Sequence, residues 1–170
     1  GLGVEQGYCV VRVRDGESLP EPGKYSAIVV TGSSAMVTDR EPWSVNTAKY
    51  LAAEASRGAY ILGICYGHQL LADALGGKVD YNPNGRQIGT VEATLTNEGK
   101  TDPLLEGIGD PLVVQTSHSQ SVIEPPSGAV RLALSPKDPN HALRYSNTVW
   151  GLQFHPEFDG WTTARYIDER

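Results

Sequence analysis

Residues 60–77 constrain this chain more than any other stretch. Tyr60-Ile61-Leu62-Gly63-Ile64 is a short apolar run of strand type. Beyond it, Leu70, Leu71, Ala74 and Leu75 form the apolar stripe of a helix, which Gly76-Gly77 ends. The join reads Gly63-x-Cys65-x-Gly67. A sharp strand-to-helix turn crowds the backbone, so it excludes Cβ atoms on either side of its central residue and strains that residue. A cysteine at the centre has its sulfur at a helix N-terminus, where the dipole and free N–H groups favour a thiolate, the attacking species of cysteine catalysis. The same five residues also suit a buried cysteine in an ordinary strand–helix turn.

A chain of 170 residues is enough for one packed domain, and positions 1–170 are read as one. At a net charge of −6 and without a Lys/Arg cluster, it has no surface suited to nucleic acid. No apolar run is long enough to span a bilayer, so no membrane partner is expected. Two cysteines, Cys9 and Cys65, make no disulfide framework, and a reducing, cytoplasmic setting follows as the default. The chain opens on Gly1 rather than Met and stops at Arg170 within a helical pattern, which predicts trimming at both ends.

Along the chain, residues 8–14 alternate as a strand, with Cys9 as a small core residue. Ala27-Ile28-Val29-Val30 is continuously apolar, the pattern of a strand buried on both faces of a parallel sheet. The small-residue loop Thr31-Gly32-Ser33-Ser34 follows it. Val45, Ala48, Leu51, Ala52 and Ala55 predict an amphipathic helix over 43–57. From Gly85 onward the texture changes: 86–95 and 112–116 alternate as antiparallel strands, 102–107 is at most a helical turn, and Ser117-His118-Ser119-Gln120 reads as a polar loop. Residues 130–134, 142–145 and 148–153 are further strands, and a helix starts near Gly160. The expected fold is α/β, with a mainly parallel central sheet followed by an antiparallel meander. Ligands bind at the carboxyl ends of such strands, where Thr31–Ser34, Cys65 and His155 all fall.

A thiol nucleophile needs a base, and the base an orienting group. In an extended segment His155 and Glu157 point to the same side, with Pro156 fixing the backbone between them. They suit a base and its carboxylate, and equally a surface pair. His68 reads as packing beside the nucleophile, His118 as a substrate contact or a turn cap, and His141 as structural or exposed. The sequence spacing shows no metal-ligand cluster, phosphate loop or GxGxxG, so no cofactor or metal is expected.

Gly63-Ile64-Cys65-Tyr66-Gly67-His68-Gln69-Leu70 and Gln153-Phe154-His155-Pro156-Glu157-Phe158 together resemble the class I glutamine amidotransferases. Thr31–Ser34 and the segment Thr116 to Val122 match that family's other two active-site segments, in the right order. Within the family the chain is most similar to stand-alone domains resembling the glutaminase domain of GMP synthase, a similarity to which Asp39-Arg40-Glu41-Pro42-Trp43 contributes. The resemblance implies a flavodoxin-like three-layer domain. It implies Cys65 as nucleophile, His155 as acid/base and Glu157 as its orienter. It also implies an oxyanion hole from Tyr66 and the Gly32-Ser33 loop, and glutamine held by Gln69, Ser117, His118 and Ser119. The implied reaction is hydrolysis of the glutamine amide through a γ-glutamyl thioester, with ammonia passing to a synthetase partner. A stand-alone γ-glutamyl peptidase or hydrolase is the alternative, and a non-catalytic binding module the weaker one. Three departures stand out: no first strand precedes the segment seen here, Gly32-Ser33-Ser34 replaces Gly-Gly-Pro, and Ser119-Gln120 replaces Gly-Asp. The last removes a carboxylate that would hold the amino group of glutamine.

Overall fold

The computed structural model describes residues 7–168; Gly1 and Arg170, on which the expectation of trimmed ends rests, lie outside the described residues. Among the described residues the first regular strand is β1 (Ala27–Val30), followed by α1 (Pro42–Ser56), β2 (Tyr60–Ile64) and α2 (Tyr66–Ala74). β3 (Lys78–Tyr81), β4 (Gln87–Leu95), the short α3 (Asn97–Lys100), β5 (Leu112–His118) and β6 (Gln120–Glu124) come next. β7 (Val130–Leu134), β8 (Ala142–Ser146), β9 (Val149–Leu152) and α4 (Gly160–Asp168) complete the order.

Among the described residues, seven strands form one sheet in the order β1-β2-β9-β8-β7-β4-β5, and β3 pairs with β6 in a separate ribbon. β1, β2 and β9 are parallel; the remaining junctions are the antiparallel meander. Side chains alternate across the sheet with the period of two that a pleated strand dictates. Ile61, Leu143 and Val149 face α1 and α2, meeting Leu51, Leu70 and Leu71 in one core. Leu152, Ala142, Leu132 and Ala93 face the other way and form a second core with Leu105 and Phe154. The parallel trio brings the end of β2, which carries Cys65, beside the end of β9, which leads to His155.

Several local expectations are corrected. Residues 8–14 form no strand: Val13–Asp15 is a 3-10 turn, and Tyr8, Cys9 and Val10 are exposed. Alternation makes a strand only where a neighbour accepts the ladder hydrogen bonds, and no described strand pairs with this segment; Cys9 is exposed and not a core residue. β1 is not buried on both faces. It is the edge strand, with β2 on one side, and Val29 is 61% exposed. The polar loop at 117–120 is mostly strand, because β5 runs through His118 and β6 starts at Gln120, leaving Ser119 as the corner. The ribbon of β3 and β6 was not legible in the sequence.

Candidate active site

The elbow is built as its glycines require. Cys65 joins β2 to α2 at φ 52° and ψ −101°, and it is buried. A positive φ at a residue with a Cβ is strained and persists only where its surroundings enforce it. Here the Cys65 N–H donates to Leu152 O at 2.7 Å, tying the turn to β9. A Cβ at Gly63 would lie 2.5 Å from the carbonyl of Gly67, and one at Gly67 would lie 2.2 Å from Val30 O. Helix, turn and two strands thus meet at backbone distance. The Cys65 sulfur receives the Gln153 Nε2 amide at 3.7 Å and lies 3.8 Å from Ser117 O.

His155 follows β9, with its N–H bonded to Gln115 O at 2.8 Å. Its Nδ1 and Glu157 Oε1 are 2.7 Å apart, and its ring stacks on Phe158 with centroids separated by 4.2 Å. The ring is buried while the Glu157 side chain is half exposed. With Nδ1 engaged, Nε2 is the nitrogen left to face a reacting group. A Cβ at Gly32 would touch His155 Cε1 at 3.0 Å and Cys65 Cβ at 3.8 Å. Thiol, imidazole and the loop after β1 therefore converge on one point, and glycine at 32 leaves the space between them open.

A cleft opens beside Cys65, lined by Ser33, Tyr66, Gln69, Ser117, His118 and Ser119. These are residues the sequence pointed to, and they come together. Their side chains are unevenly available. Gln69 Nε2 donates to Gln120 O at 2.7 Å and to Gln153 Oε1 at 3.1 Å, so this amide holds the corner of the cleft. Gln120 turns away from the opening: its Oε1 accepts from the Val37 N–H at 3.1 Å and its Nε2 donates to Thr38 Oγ1 at 2.6 Å. Gln153, buried between Gln69 and the cysteine sulfur, is a site residue that sequence reasoning gave no role. Its place in the run before His155 was the available signal.

Behind the cleft lies a buried polar network that spacing did not reveal. Asp138 Oδ2 accepts from Ser121 Oγ at 3.0 Å and lies 4.0 Å from His118 Nε2 and 3.9 Å from His141 Nδ1. Asp138 Oδ1 accepts from the Asn140 N–H at 2.9 Å. Burial alone raises the Asp138 carboxyl, but the nearby His141 ring, the Asn140 N–H and His118 outweigh it, and its pKa is lowered. Burial lowers that of His118. His118, Asp138 and His141 are close enough to hold a metal ion, a grouping absent from the sequence spacing. However, His118 Nδ1 lies 2.9 Å from Gln120 O and Nε2 3.2 Å from Gln87 Oε1, and a neutral ring donates to one of the two, so the cluster is a hydrogen-bonded brace behind residues 117–121. Asp138→Asn removes the charge these groups face and is expected to destabilise the fold by about 1–3 kcal/mol in urea unfolding.

His68 is structural. Its Nδ1 meets Tyr145 Oη at 2.9 Å, and its Nε2 meets Asn140 O at 3.1 Å. Burial lowers its pKa to about 4 from 6.5. The neutral ring is the folded form, so its contribution is fully present above pH 6.5 and is lost as pH falls toward 4. Unfolding free energy is therefore expected to drop by about 3 kcal/mol over that window. His68→Gln should flatten that part of the pH profile.

Among the described residues, no helix is long and apolar enough to cross a membrane. The family described as glutamine amidotransferase class-I matches residues 4–168. The chain is 35% identical over 142 residues to a glutamine-hydrolyzing GMP synthase of Aeropyrum pernix, covering 84% of this chain and 25% of that protein. It is 34% identical over 135 residues to one of the subunits of the glutamine-hydrolyzing GMP synthase of Saccharolobus solfataricus, covering 79% of this chain and 68% of that relative. The chain thus spans about a quarter of the length of the first of these two proteins. A solved glutamine amidotransferase from Thermotoga maritima superposes with a TM-score of 0.80 at 28% identity, covering 94% of this chain and 68% of that one. One from Methylobacillus flagellatus superposes with a TM-score of 0.86 at 25% identity, covering 95% and 64%. With its elbow cysteine, its mixed sheet and this match along nearly its whole length, the chain belongs to the class-I glutamine amidotransferase family.

Proposed function

We propose that this chain hydrolyses the side-chain amide of glutamine through a γ-glutamyl thioester on Cys65. The observation that carries the reading is the meeting of the strained Cys65 with the His155–Glu157 pair around Gly32. In this mechanism the Cys65 thiolate attacks the amide carbon, and the developing oxyanion is taken up by the Tyr66 N–H and the Gly32-Ser33 loop. Protonated His155 gives its Nε2 proton to the departing nitrogen, so the C–N bond breaks and ammonia leaves. A water molecule then loses a proton to His155 and attacks the thioester carbon; the C–S bond breaks, giving glutamate and the thiolate. Glu157 orients the ring and offsets its charge when protonated. The released ammonia passes to a synthetase on another chain or domain, a reading supported by relatives that are glutamine-hydrolyzing GMP synthases.

The test is ammonia release from free glutamine, run with hydroxylamine present. Hydroxylamine attacks a γ-glutamyl thioester and yields the γ-glutamyl hydroxamate, so hydroxamate formation that depends on Cys65 marks the intermediate. A γ-glutamyl dipeptide assayed alongside decides the other substrate class: faster cleavage of the peptide than of glutamine makes the chain a γ-glutamyl peptidase with the same nucleophile. Glu157→Gln is expected to lower kcat about 10–100-fold with little change in KM, because it removes charge that matters most when His155 is protonated.

A further inference from the structure

The cleft beside Cys65 carries its charge on one side chain. Among the described residues lining it, Arg86 is the charged group, and no aspartate or glutamate is present. The neighbouring acid, Asp138, is fully buried behind the wall and engaged with Ser121 and Asn140. Gln120 faces Val37 and Thr38. Arg86 is exposed, and among the described residues no carboxylate pairs with its guanidinium.

The loop that carries Arg86 is held in place. The Gly85 N–H donates to Asn82 O at 2.9 Å, and Gly85 takes a φ of 81° that favours glycine. Asn82 and Asn84 donate to Lys137 O at 3.1 and 3.0 Å. Next in sequence, Gln87 is buried against His118 and Ser135. The network that braces the substrate-side strand corner at 117–121 therefore also fixes the start of the strand that follows Arg86. A cation is set at the mouth of the cleft on a built loop, with no anion opposite it among the described residues.

From this arrangement we infer that Arg86 binds the α-carboxylate of the glutamyl substrate. The cleft selects its substrate through that carboxylate and not through the α-ammonium. A planar guanidinium suits a carboxylate with two parallel hydrogen bonds, whereas an ammonium finds no carboxylate among the described residues lining this cleft. The class of substrate is an anion with a free carboxylate, and glutamine acylated on its α-nitrogen belongs to it as much as glutamine does. This inference rests on the proposed glutaminase reading for the identity of the glutamyl chain.

The experiment measures equilibrium binding to the Cys65→Ala protein, which cannot turn substrate over, using glutamine, glutaminamide and Nα-acetylglutamine. Each compound is titrated by calorimetry into that protein and into the same protein with Arg86→Gln. Glutaminamide, which lacks the carboxylate, is expected to bind at least tenfold more weakly than glutamine, and Nα-acetylglutamine within about threefold of it. Arg86→Gln should erase the difference between glutamine and glutaminamide, which a merely structural role would leave in place. Arg86→Lys, keeping the charge without the fork, should restore part of it. An unchanged carboxylate preference in Arg86→Gln overturns the inference, as does a tenfold loss for the acetylated compound or no measurable binding of any of the three. Binding as expected, without ammonia release by the wild-type chain, would instead overturn the glutaminase reading and leave the role of Arg86 standing.

Discussion

Cys65→Ala is expected to lower ammonia release from glutamine by about 10⁴-fold or more, the scale on which removing a nucleophile acts when base and oxyanion hole remain. The variant should abolish hydroxamate formation altogether, since no other side chain can form the acyl intermediate at that point. Its fold should survive. The sulfur is buried, but its hydrogen bonds to Gln153 and Ser117 are the weak ones a sulfur makes, so its loss costs about 1 kcal/mol. Cys65→Gly sharpens the comparison. Both variants lack the thiol, but glycine relaxes the φ of 52° and ψ of −101° that alanine must still adopt. Cys65→Gly is therefore expected to be more stable than Cys65→Ala by about 1–3 kcal/mol in urea unfolding, the cost of holding a Cβ in such a region. Ammonia release surviving in both would remove Cys65 from the chemistry. Equal stability would mean that the elbow stores no strain.

Gly67→Ala is expected to be as damaging to stability as Cys65→Ala is to activity. The added methyl would lie 2.2 Å from Val30 O and 2.8 Å from Val30 C, and neither is the end of a flexible side chain. Relief requires α2 to move away from β1, and with it the Leu70 and Leu71 side chains that fill the core beneath α1. Overpacking against backbone exceeds the ordinary 1–3 kcal/mol for a core methyl, so a loss of about 4 kcal/mol or more is expected, a large part of the stability of a domain this size. Gly109→Ala is the control. No atom lies within 4 Å of a Cβ there, and a change within about 0.5 kcal/mol is expected. A folded Gly67→Ala of normal stability would show that α2 is not pinned to β1 at this point.

What could be read without coordinates was whatever local backbone geometry decides. The elbow was legible because a sharp strand-to-helix turn excludes Cβ atoms at fixed offsets from its centre, and Gly63 and Gly67 stand at those offsets. The His155–Glu157 pair was legible from its two-residue spacing, but not for the reason expected: the Phe158 N–H bonds to His155 O at 3.3 Å, so the two side chains meet across a turn and not along an extended segment. The meander and α1 followed from periods of two and 3.6. By contrast, the burial of an apolar run depends on which strands flank it. Ala27–Val30 carries the pattern of a central strand and lies at the edge, while residues 8–14 alternate without a ladder to join. The direction of Gln120 was equally out of reach, because its partners Val37 and Thr38 are more than 80 residues away in the chain. The same holds for Asp138, which meets His118, Ser121 and His141 where separate segments pack, and for Arg86, an ordinary loop arginine until folding sets it in the lining of the cleft that holds Cys65. Local chemistry along the chain was enough to specify the reactive turn and the residue types at hand. Which of them share a cleft was settled by folding alone, because proximity across a sheet is a property of strand order and register and leaves no periodic trace in the chain.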